Sequence, residues 1–200
     1  MEQTGQLKIN SEKELISSIQ IYLMDILNTH GVIYDVNGSV INEINASSYC
    51  KMLRFISERK DLCQSYSWEL SKSAIHFKRP FEDVCPGGLT LLSMPVYLCD
   101  NTNTVIGAHC VAISNPMRSK FCIYDIAAHF NIDAHILWDA VKKTPPMLKP
   151  ILKIARGQVF SATELLSKIF THTYALQQRE AAIAEKYRCI EEFFKSQKKD

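Results

Sequence analysis

Chemistry in this chain concentrates on three thiols. Cys50 and Cys63 lie near the boundaries of two helical segments, and Cys85 opens the run Cys85-Pro86-Gly87-Gly88-Leu89. Two glycines after a proline make a tight bend, because Gly reaches positive φ without steric cost. A thiol held by a turn and two thiols on helices can converge on one pocket. Thiolates are the soft ligands that zinc and iron–sulfur clusters take. The fourth ligand would come from His109, Cys110 or the bound molecule. Redox chemistry among the thiols is a second reading, and packing as small buried hydrophobes is a third. That last reading suits Cys99, Cys122 and Cys189. Seven cysteines, an odd count without tight spacing, do not form the disulfide framework of a small secreted domain.

Cys85-Pro86 also matches the Cys-Pro dipeptide of haem-responsive proteins, which makes haem a further candidate. Enzyme signatures are missing: the sequence has no Gly-x-Ser-x-Gly, no P-loop and no His-Glu-x-x-His. His109 and Cys110 are neighbours on an expected strand, so their side chains point to opposite faces and form no nucleophile–base pair. His76, at a helix end, reads as a surface or capping residue. A non-enzymatic protein is expected.

Net charge is +2 and the cations are scattered, so no basic stripe argues for nucleic acid. No apolar run reaches the length of a membrane span. The N-terminus lacks the pattern of a signal peptide. A cytoplasmic location is the expectation. Two hundred residues allow one domain with an appendage.

The elements that must position these groups follow from periodicity and punctuation. Residues 1–10 read as a flexible lead-in. Ser11 to Glu14 reads as a capping box, followed by Leu15, Ile16, Ile19, Leu23, Ile26 and Leu27 at helical spacing. This helix is expected to end near Thr29, with Gly31 just beyond. Val32–Val36 and Ser39–Ile41 flank Asn37-Gly38, the signal of a type I′ hairpin. Helices are expected over Ala46–Arg59 and from Asp61 to about Phe77, where Pro80 stops the second. Phe81–Val84, Leu89–Leu98 and Val105–Ser114 read as strands, the last two central in an antiparallel sheet. Gly107 inside a strand predicts a close backbone approach or a bulge. A polar loop over Asp100–Asn103 joins the last two strands, and Asn115-Pro116 breaks the third. Phe121–Phe130 and Asp133–Lys142 read as helices, with Asp133 as N-cap of the second. Thr144-Pro145-Pro146 is a stop, and Met147–Gly157 reads as another short helix.

From Ser161 to about Gln197 the helical pattern is long. Ala162, Ile169, Leu176, Ile183 and Ile190 recur in a heptad, while the companion line of Leu166, Thr173, Glu180, Tyr187 and Phe194 is only partly apolar. This is either a dimer seam with polar layers or a helix packed on its own domain.

Tyr49-Cys50-Lys51-Met52-Leu53, Asp61-Leu62-Cys63, Cys85-Pro86-Gly87-Gly88-Leu89, Met94-Pro95-Val96 and Ile106-Gly107-Ala108 together resemble the PocR-type ligand-binding sensory domain, a variant of the PAS-like fold. The likeness runs from about Ser11 to Lys168. It implies an α+β fold, a PAS-like antiparallel sheet with flanking helices, plus a long C-terminal signalling helix. It also implies a small-molecule sensor; related domains are associated with small hydrocarbon derivatives such as propanediols. Pro86-Gly87 departs from the His-Ala type of pair that many members carry. The expected organisation is a sensory domain over 11–157 and a dimerising coiled coil over 158–200. Expected ligand contacts are Cys50, Cys63, Cys85, Pro86, Gly87, Gly88, Leu89, Tyr66, Met94 and Tyr97, with Phe55, Trp68 and Val111 as further wall candidates. A change around the three thiols would move the turn and sheet, and so bias the helix from Ser161 onward. The expected partners are a small ligand, a second copy of the chain, and an output domain or protein in a transcription or histidine-kinase pathway.

Overall fold

The computed structural model describes residues 2–99, 104–113, 120–143 and 149–197. Helix α1 spans Glu2–Leu27. It passes through Ser11 without interruption, so the expected capping box is not a helix start and residues 2–10 are helical rather than frayed. Its end is set by Asn28 at φ 46°. Asn28 N–H donates to Asp25 O and Thr29 N–H to Met24 O, the pair of bonds that closes a helix on a left-handed residue. Gly31, expected as that terminator, lies instead in strand β1 (His30–Asp35). A Cβ on Gly31 would stand 2.6 Å from Met24 Sδ, so glycine here lets α1 lie close on the sheet.

β1 turns into β2 (Val40–Asn45) through Val36-Asn37-Gly38. Only Gly38 has positive φ, at 89°. The turn is therefore a three-residue loop rather than the expected type I′. Asp35 causes the difference: its Oδ1 accepts from both Asn37 N–H and Ser39 N–H at 2.8 Å.

The helix expected over Ala46–Arg59 is a single turn of α2 (Ser48–Lys51) running directly into a π turn, Met52–Ile56. Helix α3 (Lys60–Phe77) follows and ends on Lys78 at φ 52°. Strands β3 (Phe81–Val84), β4 (Thr90–Tyr97) and β5 (Val105–Ala112) come next. Helices α4 (Lys120–Phe130) and α5 (Ala134–Lys143) are joined through Asp133, whose Oδ1 accepts from His135 N–H and Ile136 N–H as an N-cap. The two helices expected over Met147–Gly157 and Ser161–Gln197 are one, α6 (Lys149–Gln197). Pro150 sits in its first turn, where no N–H is needed. A Cβ on Gly157 would meet nothing within 4 Å, so this glycine packs against nothing and breaks nothing. The boundary expected at 157/158 thus falls inside a continuous helix. The loop at Asp100–Asn103, the break at Asn115-Pro116 and the stop at Thr144–Pro146 lie outside the described residues.

The five strands form one antiparallel sheet in the order β2-β1-β5-β4-β3. This is the expected α+β architecture with flanking helices and a long C-terminal helix. Both faces of β4 and β5 are covered. One core lies between the sheet and α2, α3, α4 and α5, and takes Leu91, Cys110 and Ala112. The other lies between the sheet and α1 with α6, and takes Leu92, Met94, Val111 and Ile113. The close approach predicted at Gly107 is present: a Cβ there would sit 2.1 Å from Tyr34 O of β1. Among the described residues no helix is long and apolar enough to cross a membrane.

Candidate functional site

The Cys85 turn is built by its backbone. Cys85 N–H donates to Leu89 O and Gly88 N–H to Cys85 O, both at 2.8 Å, and Leu89 N–H points at Cys85 Sγ at 3.4 Å. Gly88 has φ 75°. Gly87 is required for a different reason, since a Cβ on it would stand 2.4 Å from Leu53 Cδ1. Tyr49 OH donates to Gly87 O at 2.7 Å and pins the turn, Pro86 included, to α2.

Behind the turn is a small cavity of about 30 Å³. Its helical wall is Cys50, Leu53, Arg54, Cys63 and Ser67. The sheet and turn supply His30, Cys85, Leu89, Leu91, Cys110 and Ala112. The three predicted thiols therefore meet, and Cys110 joins them. This volume admits one or two waters. A larger guest needs a wall to move.

Burial pushes all four thiols upward, Cys63 and Cys110 to about 12, and the nearby Cys85 sulfur adds to the rise at the other three. At neutral pH they are uncharged. Among the described residues no three His, Cys, Asp or Glu side chains are grouped so that they could hold a metal ion.

The cavity also has a charged corner that spacing and periodicity did not reveal. Arg54 Nη2 lies 2.6 Å from Glu43 Oε1, and His30 Nε2 lies 2.9 Å from the same oxygen. The bond from His30, with Arg54 beside it, holds the Glu43 carboxyl below the usual range, while burial lowers His30. Arg54 reads as a surface residue in sequence. Its burial depends on Glu43, a residue of another element. Ser67 is fixed by Tyr34, the two hydroxyl oxygens being 2.7 Å apart.

Other predicted residues are elsewhere. Tyr66 OH donates to Asp83 at 2.6 Å at the exposed rim of β3. Met94, Tyr97 and Val111 are not at the thiol cavity. Met94 and Tyr97 line a separate cleft of about 330 Å³ against α6, and Val111 packs in the core on that same face. Trp68 stacks near the Tyr34 ring at 5.4 Å and covers Gly38. Phe55 is 64% exposed and does not line the thiol cavity.

The face toward α6 carries a ladder of three hydroxyls. His109 Nδ1 is 2.9 Å from Thr163 Oγ1. Tyr97 N–H donates to Ser167 Oγ at 3.1 Å and Cys99 N–H to Thr171 Oγ1 at 2.6 Å. Each hydroxyl donates in turn to the carbonyl one helical turn back: Val159, Thr163 and Ser167. Because the Thr163 proton is used this way, His109 is the donor, with its proton on Nδ1. Burial drives His109 down to about 4, so it is neutral. His109 and Cys110 do point to opposite faces, as adjacent strand residues must.

Two solved structures share a distant likeness. One, described as VqmA bound to DPO, is 12% identical, with 67% of this chain and 93% of that chain covered and a TM-score of 0.33. The other, a Vibrio cholerae VqmA dimer in the absence of target DNA, is 13% identical, with 74% and 92% covered and a TM-score of 0.33. No curated protein matches. The sensory domain found in PocR matches residues 11–174, most of the chain and all of the elements that build the cavity. The chain belongs to the family of PocR sensory domains.

Proposed function

We propose that this chain is a non-enzymatic, cytoplasmic sensor that admits a small ligand to the thiol-lined cavity and relays its presence to α6. One observation carries the reading. On β5, the central strand, Cys110 lines the cavity and its neighbour His109 bonds α6 through Thr163. A guest that displaces Cys110 tilts the same backbone unit that holds the hydroxyl ladder. The two ends of the relay are one residue apart, and a strand buried on both faces transmits the movement without slack.

The distal half of α6 is the output. Leu166 is buried against Ile16 and Ile33, so the first part of the heptad packs on its own domain. Ile183 and Ile190, further along the helix on the heptad line of Ala162 and Ile169, are exposed. A second copy of α6 covers them in the proposed dimer, and rotation of α6 alters that seam. An output domain or a partner protein in a transcription or histidine-kinase pathway reads the change. No metal, cluster or haem enters this mechanism.

Hydrogen exchange tests the relay. Cys110→Phe fills the cavity from within and mimics a guest. Amide protection over 159–171 should change relative to wild type while the remote α4–α5 pair keeps its protection. Unchanged protection along α6 in a folded Cys110→Phe variant sinks the relay.

A further inference from the structure

The π turn inverts the hydropathy of its own residues. Phe55 and Ile56 are 64% and 67% exposed, while the charged Arg54 between Leu53 and Phe55 is 9% exposed. A regular helix would gain by burying the aromatic ring and solvating the guanidinium. One-turn π segments of this kind recur at functional sites, and a local departure from the hydrophobic pattern is expected where function is being served. The consequence here is that a buried arginine joins the thiols, leucines, Ala112, Ser67 and His30 in the wall of the cavity.

Arg54 is only partly used by the protein. A guanidinium has N–H donors on all three nitrogens. Among the described residues its ion-pair partner is Glu43, reached through Nη2. His30 meets the same Glu43 oxygen, so the carboxylate fixes the guanidinium through one nitrogen while Arg54 stands among the residues that line the cavity.

We infer that Arg54 is the polar anchor for the ligand of this sensor, and that the ligand turns an uncharged hydrogen-bond acceptor toward it. The inference rests on the sensory reading of the cavity and adds the chemistry it selects. The group is an acceptor because the facing guanidinium only donates. It is uncharged because the corner is already balanced. Arg54 and Glu43 cancel, His30 is neutral, and the four surrounding thiols and Tyr34 are neutral. A carboxylate would add a buried charge with no counter-ion.

The test uses three atom-scale probes on the full chain, followed by NMR titration: acetone as the neutral acceptor, acetate as its near-isosteric anion, and xenon as the apolar control. Wild type is expected to take acetone and xenon at the cavity, with acetone shifting the Arg54 guanidinium resonances and acetate binding more weakly. Arg54→Met should weaken acetone about ten- to a hundredfold, the worth of a hydrogen bond to a charged donor, with xenon still entering. Acetone affinity within about twofold of wild type in Arg54→Met, at the precision such titrations reach, overturns the anchor and leaves the cavity reading standing. Should that variant not fold, guanidinium resonances unmoved by bound acetone in wild type overturn it equally. Acetate binding more tightly than acetone overturns the charge argument. Exclusion of both acetone and xenon from wild type overturns the cavity reading itself, and the anchor with it.

Discussion

His109 Nδ1 lies 2.9 Å from Thr163 Oγ1, and this bond ties the central strand of the sheet to the longest helix. Both groups are buried. The Thr163 hydroxyl donates its one proton to Val159 O and so accepts from His109. The contact therefore has one polarity and one geometry, and neighbouring Ser167 and Thr171 repeat it against β4 and the residues after it.

Replacing Thr163 by Val keeps the shape and removes the acceptor. His109 N–H is then buried without a partner, which costs about 1–3 kcal/mol. Urea denaturation should show this loss, with Thr171→Val losing less because Cys99 is exposed and water can replace the hydroxyl. Equal losses at the two positions would mean that the ladder is not anchored at His109.

Acid should destabilise the fold through the same histidine. Burial lowers His109 from 6.5 to about 4, so the unfolded chain binds the proton first. Stability is complete above pH 6.5 and falls as pH drops toward 4, by about 2 kcal/mol between pH 7 and pH 5. His109→Asn keeps a donor for Thr163 and cannot titrate, so its stability profile should be flatter by that amount. His30 is lowered in the same direction in both proteins, and the difference between them isolates His109.

Gly107→Ala should be among the most damaging small substitutions. The added Cβ would stand 2.1 Å from Tyr34 O, a backbone atom in the β1–β5 ladder. Neither strand can retreat, because both faces are packed. A loss of about 3 kcal/mol or more is expected in thermal or chemical denaturation. Gly157→Ala, on open helix surface, should instead stabilise by roughly 0.5–1 kcal/mol.

Thiol labelling should separate the cysteines into two sets. Cys99 and Cys189 are exposed, whereas Cys50, Cys85 and Cys110 are buried with raised pKa. Maleimide at pH 7 should modify the exposed pair at least about tenfold faster, since only the thiolate attacks. Rapid labelling of Cys85 would show that its turn opens readily.

Charge at the distal heptad positions should dissolve the proposed dimer and spare the domain. Ile183 and Ile190 are 54% and 51% exposed and distant from the sheet cores. Ile183→Glu with Ile190→Glu should leave the thermal midpoint of the sensory domain in place and halve the mass seen by light scattering. A wild type that is already monomeric at high concentration removes this seam from the mechanism.

Local chemistry was enough to read much of this molecule from its residues. The strand at Phe81–Val84, the cap at Asp133 and the Cys85 turn each follow from one to five residues acting on their own backbone. The three thiols meet, as the turn and the two helices suggested. Packing decided the rest. Strands buried on both faces are apolar at most positions on either face, so hydropathy does not say which face is which. Leu91 and Cys110 are not separable by hydropathy from Met94 and Val111, and Met94 and Tyr97, expected as ligand contacts, line the cleft against α6 rather than the thiol cavity. The π turn is not legible because Tyr49 and Leu53 still satisfy a helical period although the wider turn already begins at Met52. Gly157 looked like a break because glycine lowers helix propensity, yet tertiary packing of α6 along α1 and the sheet outweighs that cost. What the sequence determined alone are the elements whose cause is local. The cavity, its arginine and the hydroxyl ladder exist only when β1, β2, β5 and α6 are brought together, because each needs a partner from a distant part of the chain.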